Sequence, residues 1–102
     1  MTEPDSPPED DDRFHSIHVP EPNPDYPPLR WEPLRPHGDR ARVRDYTCSC
    51  QPTYYELCQI GGEYFIRRTR IVDGETVVDE TARGRRAQTM IVWANLLFAG
   101  HR

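Results

Sequence analysis

The chain has 102 residues, with thirteen arginines and no lysine set against seventeen acids, for a formal net charge of −4. That length leaves room for one domain at most. Its longest uncharged apolar-rich run, Met90–Gly100, is too short for a bilayer-spanning helix. Ten of the eleven prolines and ten of the seventeen acids fall within the first 40 residues, so a tail of net −6 precedes a segment of net +2. The acidic, proline-rich start is unlike a signal peptide, and three cysteines without an export signal point to a reducing cytoplasm.

Residues 1–25 are predicted to be a disordered acidic tail, with clustered acids, six prolines and few apolar anchors beyond the short patch Phe14–Val19. Residues 26–40 form an extended proline-rich arm. Its prolines hold it open, while Tyr26, Leu29, Trp31 and Leu34 are costly to leave in water. Trp31 and Leu34 are therefore expected to press on something, either the chain's own domain or a partner.

From residue 41 to 102 the pattern is that of an α+β domain, a small antiparallel β-meander of three to four strands followed by one C-terminal helix. The strands are expected at Arg42–Ser49, Tyr54–Ile60, Glu63–Val72 and Glu75–Glu80. Gly61-Gly62 and Asp73-Gly74 are two-residue hairpin signals that set the register. Across the first turn Cys58 faces Phe65, Leu57 faces Ile66, Glu56 faces Arg67 and Tyr55 faces Arg68. Across the second Ile71 faces Thr76, Arg70 faces Val77, Arg68 faces Asp79 and Arg67 faces Glu80. Three opposite-charge pairs follow, leaving Arg70 without a partner.

The helix is expected from about Arg85 to Ala99, with Ala87, Met90, Ile91, Ala94, Leu97 and Phe98 as its core stripe, Trp93 widening it, and Gly100 as its cap. Val92 and Leu96 fall on the opposite side and are expected to be contact residues. Both faces of the sheet are apolar, and one helix covers only one of them. The second face needs the arm, a second copy of the chain, or another protein.

Chemical motifs are sparse. Cys48, Cys50 and Cys58, with His37 or His101 as fourth ligand, would make a zinc site, although zinc cysteines usually stand two to four residues apart and the ordinary alternative is three reduced thiols. Arg83, Arg85 and Arg86 gather at the helix start, where free backbone N–H groups favour an anion. The four histidines have no evident nucleophile or carboxylate partner, and no phosphate loop is present, which argues against an enzyme and requires no cofactor.

A sheet backed by a C-terminal helix is similar in architecture to small DNA-binding domains of the integrase arm-binding and AP2 types. Their DNA-facing sheet is exposed and basic, whereas both faces here are apolar, so the similarity carries no residue across. The reading that results is a small, non-enzymatic interaction or regulatory protein whose partner is another protein or a second copy of itself. The alternatives are a nucleic-acid-binding regulator using Arg70, Arg83, Arg85 and Arg86, and a zinc-stabilised module. No membrane contact is expected.

Overall fold

A computed structural model describes residues 17–102. One antiparallel sheet of five strands, ordered β1-β5-β4-β3-β2, is followed by one helix. The strands are β1 (Glu32–Pro33), β2 (Arg42–Tyr46), β3 (Thr53–Ile60), β4 (Glu63–Val72) and β5 (Glu75–Gly84), and the helix is α1 (Arg86–Ala99). The α+β meander expected from the sequence is present, with five strands rather than three or four because the proline arm adds β1 to the free edge of β5 through Glu32 opposite Glu80 and Pro33 opposite Asp79. A proline is tolerated there because an edge strand need not donate on both sides.

All eight residue pairings expected across the two hairpins occur. At the second turn Asp73 and Gly74 both take positive φ, at 52° and 80°, as a right-twisted two-residue hairpin requires. Two bulges were not expected. In β2 the register slips between Val43 and Asp45, which brings Asp45 opposite Leu57. In β5 it slips between the Tyr64–Gly84 and Ile66–Thr81 pairs, and Ala82 adopts φ 58°. Each extra residue turns the following side chain to the other face. Asp45 thereby reaches the side that carries α1, and Arg83 reaches the opposite side, above Phe65.

The core lies between α1 and one sheet face, with Tyr55, Leu57, Tyr64 and Ile66 from the strands and Trp93, Leu96 and Leu97 from the helix. Burying these side chains supplies roughly 1.5–3 kcal/mol each, which makes this interface the main source of stability. The helix is rotated from the expected setting. Its buried line is Thr89, Trp93, Leu96 and Leu97, whereas Ile91 and Phe98 are 64% and 73% exposed. Two polar groups explain the choice between its similarly apolar sides. The Trp93 indole donates to Asp45 Oδ2 at 2.9 Å, and the Thr89 hydroxyl donates to Ala82 O at 2.7 Å. Facing α1 the other way would leave β-sheet acceptors without those donors.

The second sheet face is covered by the chain itself. Cys58 and Phe65 are fully buried there. The Arg83 guanidinium lies 4.3 Å from the Phe65 ring centre, Arg67 spans Glu56 and the carbonyl of Gly38, and the Arg35 N–H donates to Glu80. The segment after β1 therefore crosses this face on its way to β2. It is kept compact by a turn at Gly38–Arg40 and by Leu34 against Gly38, where a Cβ would stand 2.6 Å from Leu34 Cδ1.

The expected disorder of residues 1–25 falls partly outside the described residues, and its remainder is held in place. Ile17 O accepts from Cys48 N, Val19 packs on the core, and Asn23 N donates to Gly100 O. The packed unit accordingly takes in residues well before 41. Among the described residues no helix is long and apolar enough to cross a membrane.

Candidate functional site

The surface that the fold leaves unfinished is the outer side of α1. Ala87, Ile91, Ala94 and Phe98 recur at spacings of four, three and four, which places them on one line along the helix, and all four are exposed. Gln88 and Asn95 border that line on one side. No charged residue occurs between Ala87 and Ala99. A helix apolar on two sides is normally covered on both, yet among the described residues only one side of α1 is covered.

The residues expected to make contacts are distributed differently. Leu96 is fully buried and Val92 is half-buried against the core, so neither offers a free surface. Their assignment to the outside followed from the wrong helix rotation. Trp31 and Leu34 are half-buried within the chain, Trp31 with its ring 5.8 Å from that of Tyr55 and 4.2 Å from the Arg68 guanidinium, so the arm docks in cis. Other exposed apolar side chains lie at the tip of the second hairpin, Ile71 and Val72, on the edge strand, Val43 and Tyr46, and in the segment before β1, Ile17 and Tyr26. None of these forms a line like that on α1.

The predicted arginine cluster divides. Arg83 is 9% exposed and donates to Glu80 at 2.6 and 2.7 Å and to Glu63 at 3.2 Å, while Arg85 and Arg86 remain on the surface at the start of α1. Its hydrogen bond to Glu80 raises the Arg83 pKa further. Burial alone would raise the Glu80 carboxyl, but the Arg83 guanidinium and the Arg35 N–H outweigh it and the net shift is downward. Glu80 is taken up by Arg83 and Arg35, and Arg67 turns to Glu56 and Gly38. Arg70, expected to be unpaired, shares Asp79 with Arg68 at 3.3 Å.

The cysteines separate likewise. Cys58 lies beneath the charged cover of the second face, and burial pushes its thiol up to about 11. His37 is exposed at the start of the Gly38 turn. Among the described residues neither joins a metal set, whereas His18, which no sequence spacing singles out, does. The donor atoms of His18, Cys48 and Cys50 all lie within 4.8 Å of one another. The sulfurs of Cys48 and Cys50 stand 3.1 Å apart, and Cys50 Sγ stands 3.4 Å from His18 Nε2. That sulfur–sulfur contact raises the Cys50 thiol above its ordinary value, because two crowded thiols resist ionising together.

Comparison of the chain with protein-family models, curated proteins and solved structures gives no significant match. The functional reading therefore comes from these geometries.

Proposed function

We propose that the protein is a non-enzymatic interaction module that works as a homodimer, with the outer line of α1 as its contact surface and a second copy of the same line as its occupant. The observation that carries this reading is the order of side-chain sizes along the line, Ala87, Ile91, Ala94, Phe98. When two such helices pair antiparallel about a two-fold axis, Ala87 faces Phe98 of the partner subunit and Ile91 faces Ala94 of the partner subunit. Every large side chain then meets an alanine, which is the self-complementarity that an isologous interface needs. The absence of charge from Ala87 to Ala99 removes like-charge repulsion between the copies.

Magnitudes place the pairing in a modest range. A helix of 14 residues is about 21 Å long. The two Ile91 and two Phe98 side chains contribute roughly 1.5–3 kcal/mol each on burial, against an association cost of about 4–15 kcal/mol. Binding that depends on concentration is the expected behaviour. The wide contact on a partner that a charged surface would favour gains no support, since Arg67, Arg68, Arg70 and Arg83 are all engaged with Glu or Asp side chains.

Sedimentation equilibrium across a concentration series tests the proposal. The expected result is a reversible monomer–dimer equilibrium that Phe98→Glu abolishes without changing the circular dichroism spectrum. A chain that stays monomeric throughout, or a Phe98→Glu variant that dimerises as the parent does, overturns it.

A further inference from the structure

We infer that His18, Cys48 and Cys50 form a zinc site that clamps the segment before the proline arm onto the loop between β2 and β3. This site is separate from the helix face, and either stands if the other fails.

The loop is built before any metal arrives. Thr47 is 3% exposed, its N–H donates to Tyr55 O, and its hydroxyl oxygen accepts from Tyr55 N at 2.9 Å. At the far end Ile71 N donates to Pro52 O. Cys48 and Cys50 are thus presented from a short stretch fixed at both ends, with Cys48 buried and Cys50 exposed. His18 is brought to them by backbone pairing, through Cys48 N to Ile17 O at 2.9 Å, and by Val19 packed on the core one residue later. A histidine distant in sequence thus meets a local cysteine pair through contacts that owe nothing to the donor side chains themselves.

The distances suit zinc. Bonds of about 2.3 Å to sulfur and about 2.0–2.1 Å to imidazole nitrogen, at tetrahedral angles, set S···S near about 3.8 Å and S···N near about 3.5 Å. The present separations are 3.1 and 3.4 Å, so entry of the ion parts the sulfurs by less than an ångström. Two thiolates and an imidazole are a donor set that selects a soft or borderline cation over magnesium or calcium. The Gln51 amide nitrogen lies 3.5 Å from His18 Nδ1 while Nε2 faces the sulfurs. Once Nε2 holds the ion Nδ1 carries the proton, and turning the Gln51 amide over presents its oxygen to accept from it. On binding, each thiol loses its proton to solvent, and the dication offsets the two thiolate charges that otherwise crowd each other. The fourth coordination position takes water or a donor beyond these three.

The test uses the full chain purified under reducing conditions. Metal analysis is expected to find one zinc per chain. Cobalt(II) added to the chelator-stripped protein is expected to give a thiolate charge-transfer band together with tetrahedral d–d bands. His18→Ala and Cys50→Ser alter exposed residues, leave the fold intact by circular dichroism, and are expected to weaken cobalt binding at least tenfold. Cys58→Ala is expected to bind as the parent does. Three results would each overturn the inference: zinc well below one per chain after loading, cobalt bound without a thiolate band, or a His18→Ala titration matching the parent. A Cys48–Cys50 disulfide that persists in reductant would overturn it as well.

Discussion

The guanidinium of Arg68 stands 4.2 Å from the centre of the Trp31 ring while its Nε and Nη2 bond the Asp79 carboxylate at 2.8 and 2.6 Å. Asp79 belongs to the strand that β1 joins, opposite Pro33. One arginine therefore holds β4 to β5 through its edge and holds the proline arm through its face. This dual use explains how a short edge strand of two residues stays in register: side chains, more than backbone hydrogen bonds, fasten the arm.

Replacing Trp31 by alanine removes a half-buried indole and its cation–π contact and is expected to destabilise the domain by about 2 kcal/mol. Arg68→Lys keeps the charge but loses the planar fork, and about 1 kcal/mol is expected. Urea unfolding followed by far-ultraviolet circular dichroism measures both. A midpoint unmoved by Trp31→Ala would mean that the arm does not rest on the sheet.

Gly100 joins the end of α1 to the start of the described chain. It caps the helix at φ 71°, its carbonyl accepts from Asn23 N, and an added Cβ would collide with the Glu21 carbonyl oxygen. Gly100→Ala therefore meets both a left-handed backbone and backbone atoms that cannot swing aside, and should cost about 1–3 kcal/mol. Hydrogen exchange distinguishes this from general loosening. The Asn23 amide should lose its protection first, while amides of β3 and β4 keep theirs.

The parts of this fold that are legible in the sequence are those specified by neighbours in the chain. Gly61-Gly62 and Asp73-Gly74 set two hairpins, and from them the pairing of Glu56 with Arg67 and of Arg68 with Asp79 follows. What is not legible depends on distant partners. The bulge at Ala82 carries no glycine or asparagine to mark its positive φ, so the sequence pattern ends β5 at Glu80 and offers Arg83 to an anion rather than to Phe65 and Glu80. Helix α1 is apolar on both sides, and only the Asp45 and Ala82 acceptors decide which side turns inward. His18 stands 30 residues from Cys48, and no local spacing announces that backbone pairing at Ile17 brings them together.

Acid stability should report on Glu80. Its folded pKa lies below the ordinary carboxylate value, because Arg83 and the Arg35 N–H outweigh the upward push of burial. A group lowered on folding adds stability that is present above its unfolded pKa and is lost as pH falls through the folded one. Stability should therefore hold on descending to about pH 4.3, the ordinary glutamate value, and decline below it. Glu80→Gln should flatten this decline. At neutral pH it should cost about 1–3 kcal/mol, since Arg83 loses its two charge-assisted bonds to Glu80 and keeps only the exposed Glu63, 3.2 Å away, as an acidic partner. Denaturation midpoints measured from pH 7 downward check both statements, and an unchanged acid limb in the variant would show that another carboxylate governs it.

The antiparallel pairing of α1 makes a sharper demand than loss of dimer on mutation. Phe98→Ala leaves two alanines facing each other at each end of the seam, and Ala87→Phe forces the introduced ring against Phe98 of the partner subunit. Each single change should weaken dimerisation about tenfold or more, one through a void and the other through overcrowding. The double variant restores a large side chain opposite a small one, with the order reversed, and should recover most of the affinity. A parallel pairing would place each position opposite its own copy, so the double variant would bring no recovery. Sedimentation of the four proteins, analysed as a double-mutant cycle, reads that coupling directly. Additive losses would leave the antiparallel arrangement without support, even if the chain dimerises.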